Sequence, residues 1–392
     1  MKTLPPLSLY IHLPWCVRKC PYCDFNSYES DGGVPEYEYI AALMRDLEVD
    51  LPLVVGREVQ TIFMGGGTPS LFSGAAIREL LEGVRERIAV AGNAEITMEA
   101  NPGTAEAQNF AEYRDSGVNR LSMGVQSLRD DMLRRLGRIH VADEALRAYE
   151  IARRAGFTNI NLDLMYALPG DDVEGALYDL RAAIALAPEH LSWYQLTMEP
   201  NTAFQRHPPP QLPGDDVIVE IEEAGRTLLE AHGYRRYEIS AYAREARKCV
   251  HNLNYWRFGD YLGIGAGAHG KLTVDGNMRI ERRARQRNPR MYMKLAGSAE
   301  TVTIEHIDSS DQRVIEFMMN ALRLPEGFFI TDFQSRTGIE VRAIELQLCQ
   351  ARGLGLIEYD FDRVWPTARG LQYLNNLLAL FDNQSTKAPV TA

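Results

Sequence analysis

Tyr10-Ile-His-Leu-Pro-Trp-Cys16-Val-Arg-Lys-Cys20-Pro-Tyr-Cys23-Asp-Phe25 places three cysteines in a C-x3-C-x2-C spacing near the start of the chain. A cubane 4Fe-4S cluster normally takes four cysteine thiolates. Three thiolates therefore hold three irons and leave one open to a ligand that is not protein. Other readings of the triad are weaker. A structural zinc site usually draws on two paired ligand sets, and the sequence holds no second C-x2-C and no H-x3-5-H. Three close cysteines are an odd number for disulfides, and Met1–Leu9 lacks the charged and apolar regions of a secretory signal. A buried apolar cysteine is the expectation for Cys349, within the helical pattern Ile344-Glu-Leu-Gln-Leu-Cys349-Gln. It does not suit three cysteines flanked by Arg18 and Pro21.

The 392 residues suffice for two domains or one large barrel with an appendage. Lys+Arg 42 against Asp+Glu 53 gives a net charge of −11, which argues against nucleic acid as a general partner because phosphate contacts dominate that affinity. No apolar run approaches the roughly 20 residues that span a bilayer. These features predict a cytoplasmic protein whose reduced thiols are free to bind iron.

Short apolar runs alternate with longer amphipathic stretches, the pattern of an α/β protein with a parallel sheet. Strands are predicted at Leu7–Leu13, Thr61–Met64, Glu95–Glu99, Arg120–Val125, Asn159–Met165 and His190–Leu196. Helices are predicted at Pro35–Leu51, Ala75–Ala89, Ala105–Ser116, Ala142–Ala155 and Val173–Ala187. Six units are too few for a closed eight-stranded barrel. Polar residues stand at the strand exits, where barrels of this kind gather their chemistry: Gly65-Gly66-Gly67-Thr68-Pro69, Glu99-Ala-Asn101, Gly124-Val-Gln126 and Asp163.

After the Pro-rich stretch His207–Pro213, a helix is predicted at Asp216–His232, a strand at Gly233–Ser240, and a hairpin at Leu272–Arg282 turning at Asp275-Gly276. The period changes again at about Ser309. Helices Asp311–Leu322, Thr331–Thr337 and Glu340–Ala351, a hairpin Ile357–Trp365 and a helix Thr367–Phe381 make a small winged-helix-like module. Its Glu340–Asp382 portion sets four arginines against six carboxylates, which disfavours a DNA-binding role. The predicted divisions are 1–215, a linking region 216–308, the terminal module 309–382 and a polar tail 383–392.

The triad and the GGGTP element together resemble the radical SAM superfamily. That resemblance implies a partial (β/α)6 barrel of TIM-barrel type, a 4Fe-4S cluster on Cys16, Cys20 and Cys23, and S-adenosylmethionine on the open iron. It implies that Tyr10 and Tyr22 lie near the cluster and adenine, and that Gly66, Gly67 and Thr68 clamp the methionine amino group. Glu99 and Arg138 would meet the charged methionyl end; Gln126 and Asp163 would hold the ribose and its neighbours. The residue types suit the ligand, whose ammonium, carboxylate and diol need carboxylates, an arginine and acceptors.

Nearly the whole chain resembles the family of oxygen-independent coproporphyrinogen III oxidase. The oxidase pattern has a further cysteine where this chain has Phe25, and an amino-terminal extension where this chain has nine residues before Tyr10. Cys249-Val-His251-Asn252-Leu-Asn-Tyr255-Trp256 instead resembles the HNxxYW motif of the HemW-type haem chaperones. The resemblance implies haem bound near His251, with Cys249 and His269 as alternative ligands, and delivery to apo-haemoproteins of respiratory membranes. A homodimer and at most peripheral membrane contact are compatible with it. The rival reading is the oxidase itself. The run Arg279, Arg282, Arg283, Arg285, Arg287 and Arg290 reads as a solvated face, or else as a surface attracting haem propionates, anionic lipid or an acidic partner.

Overall fold

The computed structural model describes residues 4–30, 32–103, 109–274 and 279–382. At its centre lie six parallel strands: β1 (Leu7–Leu13), β2 (Val59–Gly66), β3 (Val90–Ala100), β4 (Arg120–Gln126), β5 (Ile160–Tyr166) and β6 (His190–Gln195). Each is followed in the chain by a helix: α1 (Glu36–Asp50), α2 (Gly74–Arg87), α3 (Phe110–Asp115), α4 (Ala142–Arg154), α5 (Val173–Ala185) and α6 (Asp215–Ala231). The predicted partial α/β barrel is therefore present. The expected start of the third helix, at Ala105, lies outside the described residues.

Local chemistry fixes the helix starts. Ser73 caps α2 by accepting from the Ala76 N–H at 3.2 Å, and Asp172 caps α5 by accepting from Gly175 at 2.8 Å. Arg85 and Arg87 in the last turn of α2 face the negative end of its dipole. Between helices and sheet lies the main core, to which β4 contributes Leu121, Met123 and Val125. The alternate residues Arg120, Ser122, Gly124 and Gln126 face inward and line a cavity, so the period of two along the strand separates a dry outer face from a polar lumen.

Two segments extend the sheet to twelve strands among the described residues. Beyond β6 lie β7 (Ala241–Ala243) and the two-residue strand Arg235–Arg236, both antiparallel to their neighbours. Beyond β1 lies β8 (Asp260–Ile264), parallel to it, and then the antiparallel β9 (His269–Val274), β10 (Arg279–Arg285) and β11 (Val302–Ile307). The predicted hairpin is thus β9–β10, with its Asp275-Gly276 turn outside the described residues. The predicted strand Gly233–Ser240 is a correction, since only Arg235–Arg236 of it pairs. Tyr234 and Tyr237 instead bury their rings and direct their hydroxyls to Pro188 O and His190, at 2.7 Å each.

Helix α7 (Val250–Trp256) carries the HNxxYW residues and connects β7 on one side to β8 on the other. It crosses the amino-terminal ends of β3, β2 and β1. Glu95 on β3 accepts from the Val250 and His251 N–H groups at 3.1 and 3.0 Å, His251 meets Thr61 on β2, and Asn254 donates to Ser8 on β1 at 2.9 Å.

The terminal module has its own core around Phe317, Phe328 and Phe333. It comprises α8 (Ser310–Ala321), α9 (Ile330–Thr337), α10 (Glu345–Gly353) and a sheet of β12 (Phe328–Phe329), β13 (Ile357–Tyr359) and β14 (Arg363–Pro366). The single helix expected over Thr367–Phe381 is two, broken at Tyr373 (φ −108°, ψ 41°). Cys349 is exposed, not buried, because the inward face of α10 is set by Leu348 and Ala351. The tail 383–392 lies outside the described residues.

The arginine run is a solvated face only in part. Arg283 and Arg285 are buried and paired with Asp46 and Asp50 of α1 at 2.5–2.8 Å, while Arg282 pairs with Glu316 of α8. These guanidiniums bind the sheet extension to its surroundings. Arg279, Arg287 and Arg290 are exposed.

Candidate functional site

The cysteine loop leaves β1 and is closed at its base by a short parallel ladder, Trp15 opposite Tyr28 and Cys16 opposite Glu29. Within it Lys19 donates from its backbone to Glu29 at 3.0 Å and from Nζ to Phe25 O at 2.9 Å. All three thiols are half-buried on one side of the loop. Desolvation raises the thiols of Cys16 and Cys23, and hydrogen bonds from Thr68 to Cys16 and from Ser27 to both partly offset it.

The thiols line a cavity of about 400 Å³ together with Tyr22, Gly66, Gly67, Thr68, Glu99, Gln126, Arg138 and Asp163. Every residue expected around S-adenosylmethionine is therefore gathered there except Tyr10, which stands alongside with its hydroxyl 3.0 Å from His12 Nδ1. Among the described residues, no group of three His, Cys, Asp or Glu side chains is gathered closely enough for a single metal ion. A cubane suits the triad better, because it spreads its thiolates over separate irons.

Gly66 adopts a φ of 112°, and a Cβ there would lie 2.3 Å from the His12 ring. Glycine is thus required by conformation and by space. Its N–H donates to Glu99 Oε2 at 3.1 Å. Burial, helped by the charge of Asp163, pushes Glu99 up to about 7 despite that bond. Arg138 donates to Asn101 Oδ1 at 2.9 Å, to Gly124 O at 2.7 Å and toward Cys20 Sγ at 3.6 Å, and its buried Nε has no acceptor. It, rather than Arg134 or Arg135, lines the cavity. Gln126 sits at φ 69° after a break in strand register and accepts from Tyr194 at 2.7 Å. A non-glycine residue in that region is uncommon and concentrates at functional sites. Asp163 accepts from Ser122 and Asn161 at 3.0 and 2.8 Å.

These side chains fit a cationic, zwitterionic ligand bound through its amino and carboxylate groups beside three thiolates. An ammonium needs Glu99 ionised, so the pKa of Glu99 predicts a pH response. Affinity for S-adenosylmethionine is expected to fall as pH drops through about 7, and Glu99→Gln is expected to remove that dependence along with most of the affinity, both read by equilibrium dialysis. The sign for stability is the reverse. A carboxyl raised from 4.5 to about 7 by folding favours the empty fold at low pH, and that contribution is lost as pH rises through this window.

His251 lies outside this cavity and is fully buried. Its Nδ1 is 2.7 Å from Thr61 Oγ1 and its Nε2 is 2.8 Å from the Tyr255 hydroxyl. Burial, with the charge of Arg120 adding to it, pushes the imidazole down to about 3. The expectation of an imidazole offered to haem iron is therefore not met in this conformation, where neither nitrogen is free. Cys249 is also buried, with Sγ 3.5 Å from Glu95, and burial pushes its thiol up to about 12; His269 is exposed at the start of β9. His251→Ala is expected to destabilise the fold by about 2–4 kcal/mol in urea titrations, from the cavity and the unpaired partners it leaves. Asn252 and Trp256, from the same helix, do line the cavity.

Asn101, Tyr194, Arg120 and Arg323 are among the further residues of the cavity wall and went unassigned in the sequence. Asn101 was legible as a strand exit; the others carried no local signal.

Residues 10–181 match the model of the radical SAM superfamily, and residues 308–373 that of the HemN C-terminal domain. The chain is 52% identical over 382 residues to the heme chaperone HemW of Escherichia coli (strain K12), covering 97% of this chain and 99% of that one. It is 48% identical to the heme chaperone HemW of Haemophilus influenzae, covering 97% and 99%. Among solved structures it is similar to the coproporphyrinogen III oxidase HemN of Escherichia coli, a radical SAM enzyme, with a TM-score of 0.81 at 25% identity, over 97% of this chain and 91% of that one. A HemN-like fold, the cysteine triad and near-full-length identity of about half the residues agree: the chain belongs to the HemW heme chaperone family of the radical SAM superfamily.

Proposed function

We propose that this protein carries haem to apo-haemoproteins, respiratory enzymes among them, and holds a 4Fe-4S cluster on Cys16, Cys20 and Cys23 with S-adenosylmethionine on the open iron. The observation that supports it best is the convergence of three half-buried thiols, Glu99 and Arg138 on one cavity. Glu99 would take the ammonium and Arg138, already directed at Cys20, the carboxylate. Gly66 and Gly67 let backbone approach the ligand, Gln126 and Asp163 offer acceptors to the ribose, and Tyr22 covers the adenine side. When bound, such a cluster supplies an electron able to cleave the sulfonium. The protein's own part is to orient the ligand and to limit water around it.

Phe25 favours carrier over oxidase. It lines the mouth of the cavity and is 57% exposed where the oxidase pattern has another cysteine. Among the described residues no helix is long and apolar enough to cross a membrane, so membrane-bound clients would be met from the aqueous side.

Anaerobically reconstituted protein decides between the readings. Stoichiometric haem binding, and transfer to an apo-haemoprotein without turnover of coproporphyrinogen III, is expected. Formation of protoporphyrinogen IX with matching 5′-deoxyadenosine would establish the oxidase instead.

A further inference from the structure

Arg120 is 2% exposed, among the largest fully buried side chains of the molecule, and it lines the cavity. No hydrogen bond or ion pair engages its guanidinium among the described residues, and its buried Nε has no acceptor. The acidic side chains nearest in effect, Glu95 and Asp163, act on it only through space. Glu95 is occupied by Cys249 and two backbone N–H groups of α7, and Asp163 by Ser122 and Asn161. Burying guanidinium N–H groups without acceptors is costly, and a ligand oxygen that reached them would remove that cost.

Its surroundings point to the class of ligand. Arg323 lies on the same wall, 31% exposed, with Nη2 3.7 Å from Glu238 and its Nε without an acceptor. It stacks on Trp256, whose buried Nε1–H also lacks one. Arg120 Nε, Arg323 Nε and Trp256 Nε1 leave three buried N–H donors along this wall without an acceptor. Arg120 opens β4 two residues before Ser122, which stands in register with Glu99, and six residues, about 20 Å along the strand, from Gln126, so the seat lies directly below the methionyl end and far from the top of the cavity. The cavity, about 400 Å³, takes one ligand of ordinary size; beside S-adenosylmethionine it has room for a short side arm, not for a macrocycle.

We infer that Arg120, with Arg323 and Trp256, forms a carboxylate seat on the floor of the barrel, filled by a propionate arm of haem. The seat rests on the haem-carrier reading above, and it brings one end of the cargo into the same cavity as S-adenosylmethionine.

The test uses full-length protein with its cluster reconstituted and S-adenosylmethionine present, titrated with haem and with haem dimethyl ester, which lacks free carboxylates. Wild type is expected to bind haem at least about tenfold more tightly than the diester, the worth of one charge-assisted contact. Arg120→Gln is expected to abolish that preference and Arg120→Lys to restore part of it, both compared at saturating S-adenosylmethionine. If Arg120→Gln fails to fold because buried Asp163 loses its counter-charge, Arg120→Lys, which keeps that charge but not the guanidinium fork, decides in its place: it is expected to bind haem more weakly than wild type with an unchanged affinity for the diester. Equal binding of haem and diester by wild type overturns the seat and leaves the carrier reading standing, as does loss of S-adenosylmethionine rather than haem in Arg120→Gln. Equal binding combined with tighter binding of free propionate by wild type than by Arg120→Gln would assign the seat to a small free acid and overturn the haem assignment. No haem binding by wild type overturns both readings.

Discussion

Cys20→Ser protein, reconstituted anaerobically, is expected to retain less than about a tenth of the wild-type iron and to lose S-adenosylmethionine binding with it. Loss of a supporting contact alone costs metal sites about 10–100-fold in affinity, and here a ligand itself is removed from a set of three. Arg138, directed at Cys20 Sγ, would also lose the group that positions it. Iron analysis and the visible charge-transfer absorption measure the first effect, and equilibrium dialysis the second. Cys349→Ser is the internal control: its thiol is exposed on α10, bonded only to Tyr359 at 3.5 Å, and iron content is expected to stay unchanged. Full cluster content in Cys20→Ser would refute the assignment.

The second large effect concerns stability. Arg285 places Nε 2.8 Å from Asp46 and Nη2 2.5 Å from Asp50, and both carboxylates are 1% exposed. Arg285→Leu leaves two buried carboxylates to share Arg283, which reaches Asp50 alone. Removing one partner of such a network costs about 3–5 kcal/mol, measurable in denaturant titrations. Burial already raises the Asp46 carboxyl against the pull of Arg285, so its removal raises that group further. A carboxyl raised in the folded state loses stability as pH climbs; the deficit is therefore expected to be largest at alkaline pH and to shrink under mild acid. A deficit independent of pH would mean that packing, not charge, holds β10 to α1.

The βα alternation was readable because a strand covered by helices on one face and closing a lumen on the other keeps half of its pattern strictly apolar, as Leu121, Met123 and Val125 show. Its polar exit, Gly124 and Gln126, announced the site for the same reason. What was not readable depends on distant partners. Asp260–Ile264 is too short and too mixed to declare itself a strand, and it forms one by pairing with β1 across more than half of the chain. The arginines of β10 looked like a solvated face because Asp46 and Asp50, their partners, lie far upstream. His251 matched a motif, yet its burial follows from Thr61, on a strand that the motif does not mention. Arg120 carried no signal at all: a basic residue opening a strand reads as an exposed end until the lumen around it is seen.

Trp256 lines the barrel cavity and also a second cavity of about 490 Å³ on its other side, walled by α8, α9 and the Phe328–Phe329 strand. One indole thus lines both chambers, the second of which the terminal module shares with Ser8, Thr61 and α7. It cannot move without enlarging one chamber at the expense of the other. Whatever stabilises a position of Trp256 from the barrel side must, by linkage, be felt with equal free energy by whatever occupies the terminal-module side. The barrel and the terminal module are in that sense coupled, through Trp256 as well as through the Arg282–Glu316 and Arg257–Glu326 pairs.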